Sequence, residues 1–484
     1  MTGPELRTYR RKRDAARTPE PVPKRSRPPK PGNDDTFVIQ EHHATALHWD
    51  FRLERGGVLF SWAVPKGLPT DPGTNHLAVH TEDHPLEYAT FEGDIPQGEY
   101  GGGAVMVWDR GRYECEKWTD REVKIVLHGD RVSGRYVLFK TGKRDRDWMV
   151  HRMDPAPEGY EPLPALIRPM LAVLSEQLPR DQKAYGYEFK WDGVRATVYV
   201  EGGRPRVLSR NDRDVTASYP ELRDLAESLG SRTVVLDGEI VALDAQGRPS
   251  FETLQARMHV TNAAQVRRLV TQVPATYLVF DVLYLDGASL LDTPYVERRR
   301  LLESLQLSGP SWQTPPHFEG DGDAVLAASK AQGLEGVLAK RLDSRYYAGK
   351  RSDCWLKVKN LRTQEVVIGG WKPGEGRRAG AIGSLLLGVP GPDGLSYVGH
   401  VGTGFTEKML RDLEADLAPL SREDSPFATT VPREHARDAR WVQPVIVGEV
   451  AFGEWTREGR LRHPAWRGLR PDKNPADVVK EQSQ

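Results

Sequence analysis

At 484 residues the chain is too long for one ordinary core, and its 68 Lys plus Arg balance its 68 Asp plus Glu, which excludes a global field aimed at a polyanion. Two cysteines, Cys115 and Cys354, exclude a disulfide framework or a cysteine zinc site. No stretch has the apolar run of a secretory signal or a membrane span, so a soluble cytoplasmic protein without a membrane partner is expected.

Residues 1–30 hold ten Lys/Arg, three Asp/Glu and six prolines. Such a stretch cannot build a core, and residues 1–36 read as a disordered basic arm that adds salt-dependent affinity for phosphates. From 37 to 151 short alternating strands separated by Gly and Pro turns predict a compact all-β domain. Within it, "LHWDFRLE" (47–54) alternates Trp49, Phe51 and Leu53 with His48, Asp50 and Arg52. A strand sends these two sets to opposite faces, so the second face carries chemistry while the first packs. His42 precedes His48 by six residues, in "QEHHATALH", a gap that a turn closes. His42, His48 and Asp50 can then converge as a two-histidine, one-carboxylate site suited to Mn, Fe or Zn, whereas any one of these histidines taken singly reads better as an ordinary surface group. Arg52 lies one strand step further, in reach of an anion, and "HTEDHPLEYATFEG" adds Asp83, His84 and Tyr88.

Residues 152–169, "RMDPAPEGYEPLPALIRP", read as a proline-rich linker. From 170 to 361 helices ("YPELRDLAESL", "YVERRRLLESL") mix with buried strands ("RTVVLDGEIVAL", "ATYLVFDVLYL"). From 362 to 484 short strands return around a single helix near "TEKMLRDLEADL", the pattern of an OB-type barrel. The expected fold class is therefore multidomain: an all-β barrel, an α+β domain and a C-terminal OB-fold barrel.

The α+β region carries a set of ordered motifs. "YEFKWDGVRA" sets Lys190 before an Asp-Gly turn and Arg195; "LDGEIVAL" places Glu239 in an apolar strand; "LVFDVLYLDG" supplies Phe280 and Asp281. "EGVLAKR" gives Glu335 and Lys340, "CWLKVKN" puts Lys357 and Lys359 on one strand face, and "RHPAWRGLRPDK" brings Arg462, Arg467, Arg470, Asp472 and Lys473. Singly, Glu239 reads equally well as a satisfied buried acid, and the two lysines as a solvated face. Together the motifs describe a nucleophilic amine, carboxylates for a divalent ion, and cations for phosphates.

Residues 186–473 thereby resemble the covalent nucleotidyltransferases, specifically the ATP-dependent DNA ligases. The resemblance implies that Lys190 attacks the ATP α-phosphate, carries AMP, and passes it to a 5′-phosphate at a nick. It makes Glu239 and Glu335 ligands for Mg²⁺ or Mn²⁺ and for the ribose, and Arg195 and Arg210 contacts for ribose and 5′-phosphate. Phe280 would stack on adenine, Lys357 and Lys359 would hold the α-phosphate, and Glu188 and Lys340 join the ATP set. Arg470, Asp472 and Lys473 would orient pyrophosphate while the OB domain is closed.

"FVIQEHHATALHWDFRLERGGVLFSWAVPKGLP…DHPLEYATFEGDIPQGEYGGGAVMVWDRG" closely resembles the 3′-phosphoesterase domain of bacterial ligase D, the multifunctional ligase of non-homologous end joining. This implies Mn²⁺ at His42, His48 and Asp50, with Arg52, His84 and Tyr88 handling the scissile phosphate. The two resemblances cover about 37–151 and 165–480 and leave no residues for the family's polymerase domain. A nucleoid-associated monomer acting on double-stranded DNA ends and nicks is expected, with Ku and a separate polymerase or primase as partners. One departure is His76, in "NHLAV", where the family carries a phosphate-binding arginine; altered phosphate affinity or pH dependence is expected there. The competing reading is an RNA ligase or another covalent nucleotidyltransferase with a non-catalytic docking domain.

Overall fold

A computed structural model of the chain describes residues 6–23, 32–142, 144–244, 247–360, 362–374, 381–453, 455–456 and 458–481. The first domain contains ten strands: β1 (Thr36–His43), β2 (Leu47–Arg55), β3 (Val58–Val64), β4 (Asn75–His80), β5 (His84–Pro85), β6 (Gly93–Ile95), β7 (Gly103–Trp118), β8 (Glu122–Gly129), β9 (Ser133–Lys140) and β10 (Asp147–Arg152). Pairing runs β1-β2-β3-β4-β10-β9-β8-β7, and β7 returns to β1. Eight antiparallel strands thus close into a barrel, which removes the exposed edges a sheet would present. β5 pairs with β3, and β6 with β7. Trp49, Phe51 and Leu53 are at most 3% exposed and pack with Phe37, Ile39, Trp62 and Val150. The period of two then obliges His48, Asp50 and Arg52 to share the other face.

The expected disordered arm is corrected over residues 6–23. Arg7–Arg11 forms a short helix, and Leu6 and Tyr9 are buried against Val58, Leu59 and Tyr88. The Tyr9 hydroxyl donates to the Pro21 carbonyl at 2.9 Å, and Arg13 pairs with both Glu20 and Glu82 at 2.8 Å. Composition misleads here because two apolar side chains and a few matched charges cannot form a core alone, yet they suffice to dock a segment on a preformed barrel. Residues 1–5 and 24–31 of the arm lie outside the described residues. The expected linker is likewise fastened at its far end: Glu161 N–H donates to the Gly287 carbonyl at 2.7 Å, and Ile167 N–H to the Tyr199 hydroxyl at 2.6 Å.

The middle of the chain folds as two sheets. One is ordered Leu171–Ser175, Arg351–Lys359, Gly336–Arg341, Tyr185–Lys190 and Phe318–Glu319; the other is built on Arg204–Ser209, Val194–Glu201, Val234–Ala242 and Ala275–Leu285. Helices Leu222–Ser228 and Tyr295–Ser304 fall inside the two segments read as helical. Lys190 ends a strand of the first sheet and Val194 begins a strand of the second, so the Asp192-Gly193 turn joins the sheets. Gly193 is required there, because a Cβ would stand 2.2 Å from the Ile240 carbonyl oxygen. The C-terminal region is an OB-like fold of short strands around Arg362–Pro373, with the expected helix at Glu407–Leu417 and a second, one-turn helix at Arg433–Ala436 that the sequence pattern does not signal.

Candidate functional site

The structure forms two separate sites. On the barrel, His42 (β1) and His48 (β2) are directly paired across antiparallel strands, and Asp50 lies one strand step from His48. The two imidazole centroids are 4.7 Å apart, and one ligand atom from each of the three residues lies within 4.8 Å of the others. His42 Nε2 is 2.8 Å from the Gly101 carbonyl, and His48 Nδ1 is 3.0 Å from the Ala46 carbonyl. A carbonyl only accepts, so each of these nitrogens donates, and in the neutral ring the other nitrogen presents a lone pair. Those lone pairs, His42 Nδ1 and His48 Nε2, face the Asp50 carboxylate at 3.4 and 3.7 Å. Three acceptors aimed at one another are mutually repulsive without a cation between them, so the donor set fits a divalent metal. Burial would raise the Asp50 carboxyl, but the neighbouring Arg52 guanidinium holds it far below the usual range, ionised and ready to ligate.

Arg52 is buried and fully engaged: Nη2 donates to Asp50 at 2.8 Å, Nε to Gln40 at 2.7 Å and Nη1 to the Ser61 hydroxyl at 2.8 Å. It therefore orients Asp50 in this structure. Gln40 is held in turn by the Tyr88 and Phe91 carbonyls. His84 and Tyr88 lie alongside, with ring centroids 4.8 Å apart. The docked N-terminal segment covers both. Tyr9 packs edge-on to His84 at 5.0 Å, Arg13 Nη2 lies 3.3 Å from His84 Nε2, and the Tyr88 hydroxyl donates to Glu20 at 3.0 Å. Burial, with Arg52 and Arg13 nearby, pushes His84 well below its ordinary pKa and keeps it neutral. Sequence reasoning missed Arg13, Glu20, Gln40 and Ser61; the one available signal was a pair of large apolar side chains, Leu6 and Tyr9, three apart in a charged arm.

His76 does not join this site. Its Nδ1 meets the Gly67 carbonyl at 2.8 Å, and the charges around it are Glu201, Lys66 and Asp71. Asp83 is half-buried, and burial raises its carboxyl to about 6.

The second site is a cavity of about 200 Å³ between the middle and C-terminal domains, lined among others by Lys190, Asp192, Arg195, Arg210, Glu239 and Phe280. Lys190, Gly336 and Lys359 sit side by side across three neighbouring strands. Gly336 contributes no side chain, so Lys190 and Lys359 flank the Glu335 carboxylate. Lys190 Nζ donates to it directly, and Lys359 lies 3.7 Å away. Burial opposes charge on Glu335, but the two lysines hold its carboxyl below the usual range. Glu239 lacks that compensation, and burial pushes it up to about 7 despite Arg195 and Lys190 nearby.

Arg195 makes a bidentate pair with Asp237 at 2.6 and 2.7 Å and stacks 4.5 Å from the Phe280 ring centre. Lys340 covers the same ring at 4.4 Å and pairs with Glu188 at 2.7 Å. Glu188 and Lys340 thus form a buried pair behind Phe280, outside the cavity wall, whereas the other residues assigned to ATP line it. The C-terminal domain is closed over the cavity: Arg467 pairs with Asp192 at 2.8 Å, and Asn211 donates to the Asp472 carbonyl at 2.5 Å. Arg470 and Lys473 are held there by Glu449 at 3.0 Å and Glu365 at 2.6 Å.

Residues 40–140 match the family model described as the DNA Ligase D 3′-phosphoesterase domain. Residues 169–359 match the ATP dependent DNA ligase domain, and 378–473 the ATP dependent DNA ligase C terminal region. The chain is 50% identical over 480 residues to the multifunctional non-homologous end joining protein LigD of Mycobacterium bovis, covering 98% of this chain and 61% of that protein. It is 37% identical to the Pseudomonas aeruginosa protein of the same description, covering 98% and 62%. The chain therefore spans about three fifths of the length of the curated relatives it matches. A solved mycobacterial DNA ligase D, complexed with ATP and MES, is 46% identical, with a TM-score of 0.51 over 65% of this chain and 98% of that one.

Proposed function

The chain belongs to the bacterial DNA ligase D family, and from that premise we propose that it repairs DNA ends with two activities: removal of 3′-blocking phosphates or ribonucleotides, and ATP-dependent sealing. The observation that carries the reading is the cavity in which Lys190, the carboxylates and the cations of two domains converge. Lys190 Nζ attacks the α-phosphorus; the P–N bond forms, the α–β bridging P–O bond breaks, and pyrophosphate leaves with the electron pair. Glu335 Oε2, already accepting from Nζ, is placed to hold the proton the amine must lose. Lys357 and Lys359 neutralise the α-phosphate, Arg470 and Lys473 the departing pyrophosphate. A 5′-phosphate oxygen then displaces the lysine, and a 3′-hydroxyl displaces AMP to seal the strand. Glu239 and Glu335 suit a Mg²⁺ or Mn²⁺ ion, which would spread phosphate charge in the transition state.

On the barrel, His42, His48 and Asp50 would hold Mn²⁺, whose Lewis acidity would polarise the scissile phosphate ester. Arg52 keeps Asp50 ionised and oriented. His84 and Tyr88 pack beside Arg52 beneath Tyr9, Arg13 and Glu20, next to the metal face. Arg13→Ala leaves Glu20 buried without its cation and Glu82 with Lys12 alone, so the segment should loosen and 3′-phosphate release fall about 10- to 100-fold. Labelled-phosphate release measures this, and wild-type release by the variant would remove the segment from the site.

The test of the whole reading is a nicked duplex with a 3′-phosphate, incubated with ATP and Mn²⁺. A sealed strand requires both activities. Sealing of a 3′-hydroxyl nick alone would favour a ligase with a non-catalytic barrel. The domain divisions, action at double-strand ends, Ku and a separate polymerase are part of the same proposal.

A further inference from the structure

One side chain in the ligase cavity, Glu481, has no part in the proposed chemistry. After the Pro475–Asp477 turn, Val478 is buried in the C-terminal barrel's core. Gln364 clamps the residues beyond it: its Nε2 donates to the Val479 carbonyl at 2.9 Å, and its Oε1 accepts from Glu481 N–H at 3.0 Å. The chain is thereby turned into the cavity, where the Glu481 carboxylate accepts from Lys357 Nζ and, at 3.2 Å, from Lys359 Nζ. These are the two lysines assigned to the ATP α-phosphate. A carboxylate shared by two ammonium groups has the charge and the acceptor oxygens that two non-bridging phosphate oxygens would present.

We propose that Glu481 is a built-in phosphate surrogate that competes with the triphosphate of ATP for Lys357 and Lys359, so that nucleotide enters only as the tail leaves. The inference rests on the reading of this cavity as the ATP site. The electrostatics support it: burial lowers Lys357 to about 8, and despite burial the two lysines hold Glu481 down to about 2. The pair is therefore charged at neutral pH, as competition with an anion requires. The fastening is also of a releasable kind. Val479 is 56% exposed and Lys480 lies over the Trp455 ring at 4.3 Å. Among the described residues beyond Val478 the tail is held by hydrogen bonds, ion pairs and the Lys480–Trp455 contact, and no core side chain must be extracted. While the cavity is without nucleotide, the same carboxylate relieves the repulsion between two neighbouring buried lysines.

Glu481→Gln removes the charge at nearly constant shape, and Glu481→Asp keeps the charge on a shorter stem. The reading is the rate at which label from α-³²P-ATP enters the protein, measured against ATP concentration in the full chain. In the Gln variant the half-saturating ATP concentration should fall about three- to tenfold, the range expected for losing a competing charge-assisted pair. The maximal rate should move less, and the Asp variant should stay nearer wild type. A half-saturating concentration that stays or rises in Glu481→Gln overturns the proposal and makes Glu481 a residue that orders the lysines. Absence of label on the wild-type chain would instead overturn the ATP-site reading itself, and this inference with it.

Discussion

Lys190→Ala is expected to abolish the covalent AMP adduct, a loss of more than about a thousandfold in labelling rate, while 3′-phosphate release continues. The argument is one of position. Lys190 ends a strand whose neighbour across the ladder is Gly336, and that gap lets its amine reach the cavity beside Glu335. Lys357 and Lys359 enter the same cavity, but both are drawn toward Glu481. In the proposed reaction they neutralise the phosphate, and Lys190 is the attacking amine. Alanine also removes the cation from Glu335, but Lys359 remains 3.7 Å from it, so the carboxylate stays compensated and the domain should keep its fold. Wild-type and variant chains incubated with labelled ATP and run on a denaturing gel give the result. Label on the variant at the wild-type level would move the nucleophile elsewhere.

His42→Ala and Asp50→Ala should each lower 3′-phosphate release by about a hundredfold or more and empty the metal site, with sealing of a 3′-hydroxyl nick retained. Each variant removes one of three converging ligand atoms, and two protein donors hold a divalent ion poorly. Asp50→Ala has a further effect, because Arg52 Nη2 loses its carboxylate and a buried guanidinium is left with only Gln40 and Ser61. Some loss of barrel stability is therefore expected in that variant and less in His42→Ala. Trp49→Ala is the contrasting control: it strips the core face of the same strand, at a cost of about 3–5 kcal/mol, so melting temperature and activity should fall together. Bound Mn²⁺, thermal melting and phosphate release, measured on all three, separate an emptied site from an unfolded barrel. Full phosphatase activity with metal retained in His42→Ala would end the reading of this face as a metal wall.

The strands and helices named from the sequence are legible because their signals are local. "ATYLVFDVLYL" is the strand Ala275–Leu285 residue for residue, since six of its eleven residues are β-branched or aromatic and Asp281 is its one charge, which favours a buried strand. The alternation of "LHWDFRLE" similarly places Trp49 inside and Asp50 opposite. The basic arm misleads because its mean composition hides two apolar residues in register. His76 misleads because "NHLAV" names a position on a strand without saying which groups face it.

Spacing along a backbone of known period is enough to settle the three-part fold class, the order of the motifs, and the pairing of His48 with Asp50 on one strand face. Which side chains meet across long separations is settled only in three dimensions. Barrel closure and the docked segment bring Arg13 and Glu20 over His84 and Tyr88, and sheet order puts Lys190 and Lys359 on either side of Glu335. Glu188 and Lys340 withdraw behind Phe280, and closure of the C-terminal domain delivers Arg470, Lys473 and Glu481 to the cavity. Such contacts depend on strand order and on how domains close, which leave no periodic trace in the chain, and a buried charge settles wherever a partner of opposite sign lies within reach.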